Sequence, residues 1–231
     1  MGKPHHRVRA DDFAGVDTWV FDLDNTLYPF GSDLWPQIDQ RITTFIAQNL
    51  NLDASSAFAL QKFYYDKYGT SLRGLMLEHQ VEAKAYLKFV HDINRENLPP
   101  NPPLGAAIAA LPGRKLVLTN GSHFHAQETL KQLGIADHFE AIFDIEAAEF
   151  KPKPDPVIYE RFFEKHGIVP STAAMFEDLA KNLAVPHAHG MKTILVEPEG
   201  APLNARTSVD YVTSDLVAFL HDILRIRLSD A

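Results

Sequence analysis

Short apolar runs at residues 115–119, 142–145, 173–176 and 193–196 alternate with helical patterns at 124–133, 155–166 and 179–189. This alternation restricts the fold more than any other feature of the chain. A strand, a helix and a further strand form the repeating unit of a parallel sheet, because the helix carries the chain back to start the next strand in the same direction. Helices then cover both faces, and ligands bind in the crevice beyond the carboxyl ends of the strands. An earlier strand is expected at Trp19, Val20 and Phe21, an edge strand near Val212, and a last helix capped by Ser214 and running through Leu224.

The first strand runs into FDLDNTLY, residues 21–28. On a strand, residues two apart point to one side, so Asp22 and Asp24 at its end are expected to converge on one small volume. Two like charges so close repel, and a divalent cation between them relieves the repulsion. Oxygen-ligated Mg²⁺ takes one or two carboxylates and leaves room for water and a substrate phosphate. Asn25 and Thr26 are turn formers, so the chain should bend away and leave the acids in the crevice. The plain alternative is a strand followed by an Asp-rich turn.

Between this strand and residue 115 the pattern turns helical. Leu34, Ile38, Ile42, Phe45 and Ile46 share one face of a helix opened by Ser32 or Asp33, and residues 54–68, 72–79 and 81–93 continue in helix-favouring types. At 97–105, NLPPNPPLG, the prolines are expected to forbid helix and form the return hinge. Pro29, Phe30 and Gly31 make the outgoing hinge.

Further chemistry sits at the other strand ends. Thr119, Asn120, Gly121 and Ser122 offer a hydroxyl and a glycine-relaxed turn suited to phosphate, or simply a helix capped by Ser122. KPKPDP holds Lys151 and Lys153 among prolines, where a lysine can neutralise a phosphoryl oxygen or belong to an exposed basic loop. Glu177 and Asp178 follow a strand and can ligate metal or acidify a helix start. Asn182 can hold the lysine by a hydrogen bond. Of 11 histidines, His123 and His125 follow the Thr119 loop and are expected to serve surface or packing roles, the alternative being an approach to substrate; His187 and His189 receive no ligand role. Arg73 is the candidate for reaching a substrate base or sugar, the alternative being a solvated side chain. Tyr28 and Phe30 line the crevice or pack the hinge, and Phe63, Tyr64, Tyr65 and Tyr68 are expected in the core of the helical block.

Composition excludes several classes. With 231 residues, one large domain or a core with an insertion is expected. The 22 basic and 30 acidic residues leave a net charge of −8, which argues against a nucleic-acid polymer or an anionic membrane as partner. No cysteine is present, so disulfides, thiolate metal sites and thiol nucleophiles are absent. The amino-terminal arm MGKPHHRVRADD is basic without an apolar segment, and the longest apolar run is 106–111. A soluble, cytoplasmic monomer or homodimer is the expectation.

The order of these groups, a paired Asp, then Thr, Lys and an acidic pair, each at a strand end, resembles the haloacid dehalogenase-like hydrolase superfamily. DLDNT corresponds to its first motif, Thr119 in LTNGS to its second, Lys153 in KPDP to its third and EDLAKN to its fourth. Lys153 suits that pattern better than Lys151, which remains an alternative. The resemblance implies a Rossmann-like core at 1–30 and 105–231 with a small C1-type helical cap at 31–104. DNTLYP with YGTSLRGL is similar to the pyrimidine 5′-nucleotidase branch. The roles implied are Asp22 as nucleophile and Asp24 as general acid and base. Thr119, Asn120 and Lys153 would bind the phosphoryl group. Mg²⁺ would be held by Asp22, the Asp24 carbonyl and Asp178, with Glu177 as a helper. The substrate implied is a small phosphorylated metabolite, a nucleoside monophosphate first of all. A sugar-phosphate phosphatase or phosphomutase is the alternative. A haloacid dehalogenase would need neither an acid at Asp24 nor Mg²⁺, and a receiver-like binding module would lack the insertion.

Overall fold

The computed structural model describes residues 12–201 and 207–229; all but the last residue of the basic amino-terminal arm lies outside them. Strand β1 (Thr18–Phe21) is buried along its whole length, as a strand flanked on both edges and covered on both faces must be. It pairs in parallel with β2 (Arg114–Leu118) on one edge and β4 (Ala173–Glu177) on the other. Beyond β2 lies β3 (Ala141–Phe143), and beyond β4 lie β5 (Lys192–Val196) and β6 (Tyr211–Thr213), all parallel. The order is therefore β3-β2-β1-β4-β5-β6.

Side chains alternate across this sheet with the two-residue strand period. Trp19, Phe21, Val117, Phe176 and Ile194 face α5 (Pro102–Ala110), α6 (His123–Leu133) and α9 (Leu216–Ser229). Val20, Leu116, Leu118, Met175 and Leu195 face α7 (Pro156–His166) and the segment around α8 (Ala184–Ala188). The α/β core with helices on both faces is thus realised. The chain builds outward from β1 to β3, then returns to build outward from β4, so the crevice of the topological switch opens between β1 and its two neighbours. Phe21 is level with both Val117 and Phe176. The polar residues that follow these three strands consequently emerge side by side.

Helices α1 (Leu34–Leu50), α2 (Ala54–Tyr68), α3 (Ser71–His79) and α4 (Ala83–Val90) fall between β1 and β2. They share an apolar cluster that includes Phe45, Ile46, Tyr64, Leu72, Leu75 and Leu87, joined by Ile145 from beyond β3. Asp53 caps α2, its carboxylate accepting from the Ser55 and Ser56 N–H groups at 2.9 and 3.0 Å. Among the described residues no helix is long and apolar enough to cross a membrane.

Five local expectations are corrected. The proline-rich stretch does not exclude helix: Pro102 and Pro103 open α5, capped by Asn101 through the Leu104 N–H at 3.1 Å. Proline is tolerated there because first-turn N–H groups have no intrahelical partner. Residue 105, the expected start of the returning core, lies inside that helix, and Leu104 already packs in the core. The segment 179–189 is a short 3₁₀ turn, Ala180–Leu183, followed by the five-residue α8; Pro186 lacks the N–H a continuous helix would need. Helix α9 is capped by Asp215, which accepts from the Ala218 N–H at 3.0 Å, rather than by Ser214. Finally, Ile145 leaves the sheet, its N–H bonding the Gly121 carbonyl at 3.1 Å, so β3 stops at Phe143.

Candidate active site

Asp22 directly follows β1 and is still held to its neighbour strand, its N–H bonding the Phe176 carbonyl at 2.9 Å. The chain then turns: Thr26 and Leu27 both donate to the Leu23 carbonyl, and Asn25 takes a left-handed conformation with φ 58°, which asparagine tolerates better than most residues. Strand alternation lapses at that turn. Both acids line one cavity, but their carboxylates do not close on a common point as strand spacing implied. Asp22 bonds Lys153, whereas Asp24 turns to Tyr28 and His125.

The partners of Asp22 come from β4. One oxygen each from Asp22, Glu177 and Asp178 lie within 4.8 Å of one another. Lys153 stands among them, 2% exposed, donating to Asp22 Oδ1 and Glu177 Oε1, both at 2.7 Å, and to the Leu118 carbonyl at 2.9 Å. Lys151 is half-buried and is not among the residues that line the cavity. Asn120 grips the Lys153 backbone, accepting its N–H at 2.8 Å. Asn182 does not hold the lysine as expected. It donates to Glu177 Oε1 at 2.6 Å, and the Leu179 N–H takes Oε2 at 2.6 Å. Glu177, fully buried, is therefore occupied with anchoring Lys153, and Asp178 is the less engaged acid, met by Asn25 Nδ2 at 3.5 Å.

Electrostatics mark the site as short of positive charge. Burial pushes Asp22 up to about 7; Lys153 opposes this, and Glu177 and Asp24 add to it. Burial, then Glu177 and Asp22, push Asp178 up to about 10. Glu177 is lowered, burial being outweighed by Lys153, and Lys153 is raised, its own burial being outweighed by Asp22 and Glu177. Two acids that bind protons this tightly will give them up to a cation of higher charge. An all-oxygen donor set of this kind suits a hard divalent ion, so the residues fit a metal held by Asp22 and Asp178. Asp24 behaves differently. Burial would raise it, but His125 and the Tyr28 hydroxyl, both donating to it, hold it well below the usual carboxylate range.

Thr119 and Asn120 lie where β2 ends, with Thr119 Oγ1 accepting from the Gly121 N–H at 2.9 Å. Ser122 caps α6 through the His125 N–H at 3.2 Å. The cavity above has a volume of about 760 Å³ and reaches from these groups to Phe30, Trp35, Gln61, Lys62 and Tyr65. Arg73 is not among its lining residues, which on α3 end at Leu72. The aromatic run also divides. Tyr64 and Tyr68 pack in the apolar cluster, Tyr65 lines the cavity and Phe63 is exposed.

The haloacid dehalogenase-like hydrolase family model matches residues 16–190. The chain belongs to this family. A member of it is a hydrolase, and the enzyme is 30% identical over 229 residues to phosphate metabolism protein 8 of Saccharomyces cerevisiae, covering 91% of this chain and 71% of that protein. Among solved structures, this hydrolase resembles a phosphatase of the same superfamily from Thermococcus onnurineus with a TM-score of 0.62 at 16% identity, over 90% of this chain and 98% of that one. It resembles the L-2-haloacid dehalogenase of Xanthobacter autotrophicus with a TM-score of 0.57 at 19% identity, over 94% of this chain and 100% of that one. At such identities the likeness is one of fold.

The surface or packing role expected of His125 does not describe where it lies. His125 is buried against Asp24, with Arg95 and His91 behind it. The signal was periodic: His125, Thr129 and Leu133 form a buried stripe beside Ala126 and Leu130. A histidine on such a stripe, one turn after a cap at the Thr119 loop, points inward.

Proposed function

We propose that this hydrolase cleaves small phosphate monoesters through an aspartyl-phosphate at Asp22. Asp22 attacks phosphorus, and the ester oxygen leaves with a proton from Asp24. Asp24 then takes a proton from water as the water oxygen bonds phosphorus and the Asp22 ester bond breaks. Thr119, the Asn120 N–H and Lys153 hold the phosphoryl oxygens by preorganised charge. Mg²⁺ held by the Asp22 side chain, the Asp24 carbonyl and Asp178 would neutralise the phosphoryl charge and permit an anion to approach an anion. Helices α1–α4 act as a C1-type cap, with α5 joining the core.

The observation that carries this reading is Asp24. A carboxyl group with one oxygen tethered at 2.5 Å by Tyr28 and at 2.7 Å by His125 keeps its other oxygen in a fixed place beside the Thr119 loop, where the negative charge of a bound phosphate would raise it towards the protonated form that a leaving oxygen needs. Displacement of halide from carbon needs no such group. The name of the yeast relative, phosphate metabolism protein 8, is in line with it. The cavity of about 760 Å³, with Trp35, Tyr65 and Phe30 for a flat ring and Gln61 and Lys62 for polar edges, supports a nucleoside 5′-monophosphate, a pyrimidine nucleotide foremost.

The test is a phosphate-release screen over nucleoside monophosphates, sugar phosphates and p-nitrophenyl phosphate, with Mg²⁺ or with EDTA, alongside chloride release from 2-chloropropionate. Metal-dependent phosphate release, highest for pyrimidine 5′-monophosphates, is expected. Chloride release without phosphate release would replace the reading with dehalogenation.

A further inference from the structure

Behind Asp24 stands a series of bonded side chains that the scheme above leaves unused. His125 is 0% exposed, and its Nε2 lies 2.7 Å from Asp24 Oδ1. Its Nδ1 lies 3.0 Å from Arg95 NH2. A guanidinium offers donors only. Nδ1 therefore accepts, and the ring hydrogen sits on Nε2, where it is donated to Asp24. Arg95 is itself fixed from the segment after α4, donating to the His91 and Ile93 carbonyls at 3.3 and 3.2 Å and to Thr129 Oγ1 at 3.3 Å. The His91 ring stacks on His125 at 4.5 Å and bonds the Ser122 hydroxyl at 2.8 Å.

Both donors to Asp24 reach the same oxygen, since the Tyr28 hydroxyl also donates to Oδ1 at 2.5 Å. An oxygen already accepting two hydrogens has no room for a proton of its own. The other oxygen faces the loop after β2: a Cβ placed on Gly121 would lie 3.7 Å from Asp24 Oδ2, 3.3 Å from Thr119 Oγ1 and 3.1 Å from His125 Cδ2. We propose that His125 is a positioning residue of the reaction, holding Asp24 so that Oδ2 alone exchanges the proton, with Arg95 fixing the ring tautomer. In the first half-reaction the proton passes from Oδ2 to the leaving oxygen as the ester P–O bond breaks and the Asp22–phosphorus bond forms. In the second, Oδ2 receives a proton from water as the water oxygen bonds phosphorus and the Asp22–phosphorus bond breaks. This inference rests on the reading of Asp24 as the acid and base.

Two esters separate positioning from packing. p-Nitrophenolate leaves without a proton, whereas the alkoxide of p-nitrobenzyl phosphate requires one. Asp24→Asn should lose about a hundredfold more kcat/KM on the benzyl ester than on the phenyl ester. His125→Leu should lose about tenfold more kcat/KM on the benzyl ester, because the hydrolysis of the Asp22 phosphate is common to both esters and cancels. His125→Gln, whose amide N–H reaches the place of Nε2–H, should recover most of that loss. Where circular dichroism shows His125→Leu unfolded, Arg95→Met carries the test, with about threefold selectivity expected. Equal losses on the two esters in the folded variant, with Asp24→Asn still selective, would reduce His125 to packing and leave the function intact. If Asp24→Asn shows no selectivity, the reading of Asp24 fails and the inference falls with it.

Discussion

A lysine ammonium 2% exposed to solvent persists at Lys153 because each of its three hydrogens has a partner: Asp22 Oδ1, Glu177 Oε1 and the Leu118 carbonyl. Removing the cation strands two buried carboxylates, the costly half of a buried ion pair. Lys153→Met should therefore lower stability by about 3–5 kcal/mol in urea unfolding and abolish turnover. Adding Glu177→Gln should return part of the stability and none of the turnover. A loss below about 1 kcal/mol in the single variant would mean that the acids are neutral without the lysine. At this scale the sequence was legible where the order of the motifs along the chain chose between two uses, as with Lys153 before Pro154 or Asp178 after β4, both of which meet Asp22. It was not legible for His125, whose importance depends on Asp24, 101 positions away.

Elements were read best where one signal acts alone and worst where two compete. Helix α2 ran over 54–68 as expected, since Asp53 caps it and Gly69, with φ 85°, ends it. Helix α5 was missed because proline was weighed as a breaker without regard to position, and the first turn is where a missing N–H costs nothing. Packing also overrides propensity inside α3. A Cβ on Gly74 would stand 2.4 Å from Tyr64 Cγ and 2.6 Å from Tyr64 Cβ, atoms too near the α2 backbone to swing aside. Ala ordinarily gains up to about 1 kcal/mol over Gly in a helix, but the overlap costs about 1–3 kcal/mol. Gly74→Ala should thus be destabilising by thermal unfolding, and a raised melting temperature would show that α2 and α3 separate without cost.

For the whole molecule, the order β3-β2-β1-β4-β5-β6 brings together groups that the chain keeps up to 156 residues apart, Asp22 and Asp178 among them. That meeting was legible because parallel sheets put their ligands at the carboxyl ends; which oxygen bonds which donor was not, since side-chain rotation at a turn escapes strand periodicity. Metal coupling is a property at this scale. At a hundredfold excess over its Kd, Mg²⁺ should stabilise the fold by about 2.7 kcal/mol. In Asp178→Asn that gain should be lost, while the metal-free variant is at least as stable as the parent, because an acid pushed up to about 10 is replaced by a neutral amide. An undiminished gain would place the metal elsewhere. The central claim, that Asp22 accepts the phosphoryl group, is tested most directly by quenching the reacting enzyme in acid, reducing any acyl phosphate with borohydride and locating the modified residue by peptide mass spectrometry. The account predicts that Asp22 is converted to homoserine only when substrate is present. Reduction at another acid, or phosphate release that persists in Asp22→Asn, would contradict it.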